Sequence, residues 1–249
     1  MLPDRSGQHS LVLRALIVAG LVAFGFFLVT ERGLLGYALE SDKSYISYLI
    51  LLIYVGASAH WLLLAYRMSG ERDRLGRVER GLGSDDEPTL AVSDAGVRWG
   101  SEEWSAGDLA RYLRGFLLKR ESPGGAVEQS SLASTLADVI ANRHAAGHFL
   151  ADTLLKLGLL GTIVGFILML LPVSRMREFE PALAQQLLRE MSSGMAVALY
   201  TTLAGLVTST LLKLQYQILD TSAQDFLNRV SFMTDVHLVS PSVEPESGN

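Results

Sequence analysis

The chain has no cysteine among its 249 residues. Disulfide bonds, thiolate metal sites and cysteine nucleophiles are therefore excluded. Charge is also scarce, because only 19% of the residues are Asp, Glu, Lys or Arg, against roughly a quarter in an average soluble domain. The net charge is -5 and the basic residues are dispersed, so nothing indicates a nucleic-acid partner.

Hydrophobic residues make up 49% of the chain and are concentrated in four blocks. Each block approaches the roughly 20 residues that a helix needs to cross the hydrocarbon core of a bilayer. The fold predicted is an all-α polytopic membrane protein with four transmembrane helices, the last two extended into the cytoplasm. The blocks are Leu11 to Thr30, Tyr45 to Tyr66, Leu157 to Val173 and Gly194 to Leu212, giving spans of about 11–30, 45–66, 153–173 and 194–213.

The first block has a competing interpretation as a cleaved signal peptide. Arg5 and Arg14 are basic residues at the start of an apolar run, as in such peptides. No small-residue cleavage site follows before Glu31, so we expect this helix to be retained. Arg14 lies one turn inside the block, where its long side chain can reach the headgroups.

Basic residues predict the orientation of the spans. The loop between the first two spans holds Arg32 and Lys43 among acidic residues, whereas a basic cluster follows the second span. Since cytoplasmic flanks carry excess Arg and Lys, both termini should be cytoplasmic. The outer loop 174–193 carries Arg175, Arg177 and Arg189, which opposes this orientation slightly. The basic cluster consists of Arg67, Arg72, Arg74, Arg77 and Arg80.

What the basic cluster contacts is open from the sequence. A rotor-type protein, anionic lipid and a role in topology alone are the alternatives.

The sequence predicts four regions. They are an N-terminal transmembrane hairpin over 1–66, a cytoplasmic and mostly helical region over 67–152, a pore-forming hairpin over 153–217 with its outer loop 174–193, and a cytoplasmic helical extension with a disordered tail over 218–249.

Helical patterning is clear on both sides of the third span. Ala106 to Lys119 is a helical candidate that ends before Ser122 to Gly125, where proline and paired glycines disfavour helix. From Glu128 apolar residues recur at helical spacing, and no breaker precedes Leu157. We therefore expect one helix to run into the third span. The fourth span should likewise continue from Leu214 to about Val236.

Small and hydroxyl residues form stripes on the last two spans. Lipid gives helices no hydrophobic drive to associate, so small residues permit close packing and polar residues indicate a protein-lined face. The alternative is that the glycines only permit close helix packing and that each threonine hydroxyl bonds a backbone carbonyl of its own helix. The stripes are Gly158, Gly161, Thr162 and Gly165 on the third span, and Gly194, Ala198, Thr202, Gly205 and Ser209 on the fourth, flanked by Thr201 and Thr208.

None of the four spans contains Asp or Glu away from its ends. Proton transfer needs a group that binds and releases the ion, and hydroxyls do not do this near neutral pH. If the chain conducts ions, a second chain must supply the carboxylate. Asp152 and Lys156 lie one turn apart at the expected cytoplasmic mouth, where they form an i, i+4 ion pair or line a vestibule.

The histidines give no metal site or enzyme active site. His144 and His148 share a helix face, but no third ligand accompanies them, so no metal is expected. His60, within the second span, is able to titrate near neutral pH, although a packed or interfacial role is the commoner one for such a residue. We expect no enzymatic activity and no cofactor apart from a translocated ion.

The amino-acid sequence of the last two spans resembles that of the MotA/TolQ/ExbB proton-channel family. Leu157 to Gly165 reads LGLLGTIVG, and Gly194 to Leu206 reads GMAVALYTTLAGL. The similarity covers about Asp152 to Gln217. The fourth-span glutamate of ExbB-like members would fall at Val197. The number of spans resembles that of MotA, whereas the sequence of the motif resembles that of TolQ and ExbB.

This resemblance implies a role for the stripes in an ion path. Thr162 and Thr202 fall at the hydroxyl positions that line the path in TolQ- and ExbB-like members, and Thr201 beside them completes the candidate pathway. The implied assembly is a homopentamer in a bacterial inner membrane around two copies of a single-span MotB/ExbD/TolR-like partner. The partner's membrane aspartate would carry the ion, which is a proton or sodium.

Two hypotheses from different classes follow. In the first, the chain is the pore-forming subunit of an ion-driven motor. In the second, it is a nonconducting membrane scaffold in which the glycine stripes serve assembly only. A third reading, an independent carrier, requires ion flux from the purified chain alone.

Overall fold

Long α-helices dominate the computed structural model, which describes residues 10–33, 36, 39, 42, 44–82, 90–93, 96–121, 129–174 and 181–239. Within these residues lie five α-helices and one three-stranded sheet. A π-helical turn, Thr234–Val239, follows the last α-helix. The helices are α1 (Ser10–Glu31), α2 (Ile46–Gly81), α3 (Asp108–Glu121), α4 (Gln129–Ser174) and α5 (Pro181–Met233).

Four of these helices, α1, α2, α4 and α5, are long and apolar enough to cross a membrane. The predicted all-α polytopic fold is confirmed. Helix α4 runs without a break from Gln129 through the third span, as its apolar spacing indicates. The last predicted tail, Ser240 to Asn249, lies outside the described residues.

The outer loop differs from the segment 174–193 expected from the sequence. Helix α5 already begins at Pro181, so 181–193 are helical. Proline is favoured at the first helical position because its missing N–H would be unpaired there, and Leu, Ala, Gln, Arg and Glu that follow are good helix formers. Residues 175–180 are not among those described.

A small antiparallel sheet interrupts the region that the sequence indicated as mostly helical. Its strands β1 (Leu90–Ser93), β2 (Gly96–Trp99) and β3 (Glu102–Trp104) pair in sequence order. Along β2, Val97 and Trp99 are buried while Arg98 is exposed, the alternation expected of a strand with one covered face. Helix α3 packs against β1 and β2.

The chain divides into two compact units. As far as the structure describes them, the membrane unit comprises residues 14–63 and 144–218, and the sheet unit comprises residues 10–13, 64–143 and 219–239. The core of the sheet unit combines side chains of α2, α3, α4 and α5 with Trp104 of β3. Its fully or almost fully buried residues include Leu75, Val78, Leu109, Leu113, Phe116, Ile140, Phe226, Val230 and Met233.

The start of α2 is capped by a buried carboxylate. Asp42 accepts hydrogen bonds from the backbone N–H groups of Ser44 (2.8 Å) and Ser47 (2.7 Å). Burial alone would raise the pKa of Asp42, but hydrogen bonds from Ser44 and Ser47 outweigh it and hold the pKa below its usual value. The ionised carboxylate therefore satisfies the Ser47 N–H, one of those that the first helical turn leaves unpaired.

Candidate functional site

Helices α4 and α5 pack backbone to backbone along the glycine stripes. A Cβ on Gly158 would lie 3.1 Å from Gly205 Cα, and a Cβ on Gly165 would lie 2.6 Å from the Ala198 nitrogen. Gly194 approaches Met169 in the same way. Each step forward on α4 matches a step back on α5, as in an antiparallel pair. The predicted protein-facing stripe is thus a close helix seam.

Two of the three candidate threonines lie at the margin of this seam and the third lies inside it. Thr162 and Thr202 are partly exposed, whereas Thr201 is completely buried against Gly161. The Thr202 hydroxyl is 2.9 Å from the Ala198 carbonyl oxygen and 3.2 Å from that of Gly158 across the seam.

The other two hydroxyls bond only within their own helices among the contacts found in the described residues. Thr162 donates to the Leu159 carbonyl, and Thr201 to that of Val197 at 2.8 Å. Adjacent residues on a helix point about 100° apart, so Thr201 and Thr202 take different environments. The geometry places Thr162 and Thr202 where a partner can reach them, and Thr201 where it supports packing.

Val197, where the resemblance would place the ExbB-like glutamate, is buried, with 1% of its surface exposed. An ionised carboxylate there would be buried away from water, so valine suits the position. Between Met191 and Leu219, and between Thr153 and Val173, the sequence has no Asp or Glu. These two stretches of α4 and α5 therefore present hydroxyls and carbonyl oxygens but no acidic group.

Asp152 forms an ion pair, but not with Lys156, the partner given by one of the two interpretations of the sequence. Its carboxylate lies 2.8 Å from Lys213 Nζ of α5, rather than pairing with Lys156. Asp152 and Lys213 are each about half exposed. The ion pair joins α4 to α5 at one end of the seam, and Lys156 adds a positive charge beside it.

A second polar contact links α2 to α5. His60 Nδ1 lies 2.9 Å from the Tyr216 hydroxyl, and the Ser58 hydroxyl donates to the Gln215 amide oxygen at 3.0 Å. The Tyr216 ring packs directly against Gly147 of α4, where a side chain would overlap it. Sequence reasoning gave Tyr216 no packing partner, although a glycine such as Gly147 within a helix can indicate a close neighbour.

The basic cluster after the second span is largely used within the sheet unit. Arg72 pairs with Asp225 of α5, and Arg74 donates to the Ala106 carbonyl oxygen at 2.8 Å. Arg77 lies near Glu102 and the Trp104 ring. These contacts join α2 to α5 and to the sheet and the segment after it, a use of the arginines that the sequence did not reveal.

Further ion pairs hold the same unit together. Arg229 binds Glu79, and Arg143 binds Asp108 with two hydrogen bonds of 2.6 and 3.0 Å. Burial of the Tyr112 hydroxyl raises its pKa, and its partner Thr234 is 3.4 Å away. Among the described residues no group of three His, Asp or Glu side chains is placed to hold a metal.

The comparisons with known proteins agree with the motif that lies on the seam. A search of functionally characterised proteins gives no significant match. The model of the MotA/TolQ/ExbB proton channel family matches residues 133–231, which contain the whole α4–α5 seam. The chain is therefore a membrane protein whose residues 133–231 are similar to the MotA/TolQ/ExbB proton channel family.

Proposed function

We propose that this chain is the pore-forming subunit of an ion-driven motor in a bacterial inner membrane. It couples the flow of protons, with sodium as the alternative ion, to mechanical work. The observation that carries the proposal is the α4–α5 seam, because it joins the family motif to accessible hydroxyls at Thr162 and Thr202 and contains no acidic group.

The missing carboxylate calls for a partner. We propose a single-span MotB/ExbD/TolR-like subunit in two copies, whose membrane aspartate binds the ion while five copies of this chain surround it. The ion gradient supplies enough energy for such a step, since one charge crossing about 100 mV releases roughly 2.3 kcal/mol. The chain needs no cofactor and no enzymatic chemistry in this role.

The orientation proposed places both termini and the sheet unit in the cytoplasm. It rests on the arginines that follow the second span, because basic residues next to a span favour the cytoplasmic side. Asp152 and Lys213 then stand at the cytoplasmic mouth of the pathway.

The test removes hydroxyls while keeping volume. Thr162→Val and Thr202→Val, singly and together, are measured for ion flux in vesicles that contain the complex with its single-span partner. Thr210→Val is the matched control, since Thr210 is exposed and bonds the carbonyl of Leu206 in its own helix. We expect the double variant to lose most of the flux and the control to retain it. Undiminished flux in an intact double-variant complex would contradict the proposal.

A nonconducting scaffold is the second candidate. It is favoured by Thr201, whose buried hydroxyl is bonded within α5 and is not available to an ion. The scaffold predicts that the wild-type complex assembles but carries no flux. An independent carrier predicts flux from the purified chain without any partner.

A further inference from the structure

A cleft of about 250 Å³ lies between α3 and α4 in the sheet unit. Its lining residues are three and four apart on each helix, so each set forms one helix face. Leu132, Leu136 and Val139 of α4 give an apolar wall, opposite Tyr112 and Gly115 of α3. A concave apolar site with a few polar groups at its edge is the usual form of a small-molecule site.

Gly115 keeps this cleft open. A Cβ at Gly115 would lie 3.6 Å from Leu132 Cδ2, an ordinary contact distance, so packing does not require glycine there. At Gly165 of the seam, by contrast, a Cβ would lie 2.6 Å from a backbone nitrogen. Glycine inside a helix is less stable than alanine. Gly115 therefore weakens α3 without being needed for packing, and it leaves the cleft free of a side chain.

Arg111 brings a positive charge to the solvent side of the cleft. The carboxylate of Asp108, which also lines the cleft, receives two hydrogen bonds from Arg143, of 2.6 and 3.0 Å. Arg111 lies 3.8 Å from the same carboxylate, beyond hydrogen-bonding distance, and its side chain is 70% exposed. Two guanidinium groups thus share one carboxylate, and Arg111 keeps donors for an anion.

The other polar groups of the lining are turned toward the protein. The Thr135 hydroxyl donates to a backbone carbonyl of its own helix at 2.8 Å. The Tyr112 hydroxyl lies 3.4 Å from that of Thr234, and Asp235 acts on it electrostatically. The cleft therefore offers an apolar interior and a guanidinium at its edge, the chemistry that complements an apolar anion.

We propose that this cleft binds a small organic acid. Its carboxylate pairs with Arg111, whose planar guanidinium matches a carboxylate with two parallel hydrogen bonds. Its apolar body fills the space beside Gly115 and leaves water there. The cleft is smaller than the roughly 300–1,000 Å³ of sites for drug-sized ligands, so the acid is small. No lining residue belongs to the α4–α5 seam, and the inference does not depend on ion conduction.

The test measures binding of 4-phenylbutyrate, an apolar body with one carboxylate, to the full-length chain in phosphatidylcholine nanodiscs at neutral pH. Equilibrium dialysis gives the bound amount, and empty nanodiscs give the background. We expect saturable binding with a Kd of roughly 1 mM or tighter for a ligand of this size. Acetate lacks the apolar body and 4-phenylbutanamide lacks the charge, so each should bind at least about tenfold more weakly.

Two variants remove the two halves of the site. Arg111→Gln should weaken 4-phenylbutyrate binding at least about tenfold, because hydrogen bonds between charged groups are lost. Arg120→Gln is its control, since Arg120 is exposed and, at about 100° per residue, lies on the opposite side of α3. Gly115→Leu should fill the cleft and abolish binding. Gly70→Leu is the matched control, because Gly70 is exposed and a Cβ there meets no atom within 4 Å.

Binding no greater than that of empty nanodiscs would overturn the inference, and so would equal binding by the wild type and Arg111→Gln. A short amphipathic peptide of leucine and glutamate tests the other occupant. If the peptide binds through Arg111 while 4-phenylbutyrate does not bind, the cleft serves a protein partner and the inference is wrong. If Gly115→Leu does not fold, the two arginine variants still decide the question.

Discussion

Gly158 of α4 and Gly205 of α5 face each other so closely that a Cβ on Gly205 would lie 2.7 Å from Gly158 Cα. The separation of two helices at this point is set by main-chain atoms, which cannot move aside as a flexible side chain can. In a bilayer such contact replaces the hydrophobic drive that operates in water. The seam is therefore sensitive to the addition of a single methyl group.

Gly165→Ala should destabilise the membrane unit. The added Cβ would lie 2.6 Å from the Ala198 nitrogen and 2.8 Å from its Cα, and overpacking of this kind costs about 1–3 kcal/mol. Gly56→Ala on α2 is the control, because a Cβ there meets no atom within 4 Å and alanine favours helix. Thermal unfolding in detergent should show a lower midpoint for Gly165→Ala only. Equal midpoints would show that the seam is looser than the glycine contacts indicate.

Arg143→Gln should destabilise the sheet unit. Asp108 has a side chain only 10% exposed and receives both hydrogen bonds of Arg143, and loss of hydrogen bonds to a charged group costs about 1.5–3 kcal/mol. Arg111→Gln is the control, since Arg111 is 70% exposed and 3.8 Å from the same carboxylate; its effect should stay within about 0.5 kcal/mol. Denaturant unfolding monitored by circular dichroism distinguishes the two. A larger loss of stability in Arg111→Gln than in Arg143→Gln would show that Arg111, and not Arg143, is the stabilising partner of Asp108.

Tyr112 should make the sheet unit sensitive to alkali. Burial raises the pKa of Tyr112, so the folded chain keeps a proton that the unfolded chain releases from about pH 10 upward. Stability from this group is complete below that pH and is lost as the pH rises through the raised pKa. Tyr112→Phe should lose less stability than the wild type between about pH 9 and 11. Parallel pH profiles of the two unfolding midpoints would contradict the prediction.

Exchange of the two residues of the Asp152–Lys213 ion pair should preserve ion flux, whereas a change of either residue alone should reduce it. Asp152→Lys alone places two cations together, since Lys213 is 2.8 Å from the carboxylate, and Lys213→Asp alone does the same with two anions. Each single variant should reduce ion flux of the complex, and the double variant should recover most of it. Recovery is measured in the same vesicles. A double variant no better than the singles would show that the position of each charge matters more than their attraction.

Much of the fold followed from the sequence because it depends on local periodicity. Span lengths, the unbroken course of α4 and the small-residue stripe all follow from spacing along one helix, where residues three and four apart share a face. The sheet was missed because its strands are only three or four residues long and each lacks a sustained alternating pattern.

The candidate site, like the fold, was only partly predictable from the sequence. The sequence by itself determined that two helices would face protein through glycine and threonine, and that no acidic residue would lie within them. It placed Thr202 on the small-residue stripe and Thr201 beside it, and it proposed both for the ion pathway. The tertiary structure separated them, because only Thr201 lies within the seam against Gly161.

Only the tertiary structure decided which distant side chains meet. Asp152 turns to Lys213 rather than Lys156, His60 meets Tyr216, and Arg72 meets Asp225. These partners are far apart along the chain, and no helical spacing relates them. The sequence determined each helix and its faces, since those depend on neighbours in the chain; the packing of α2, α4 and α5 chose the partners, since it alone sets distances across helices.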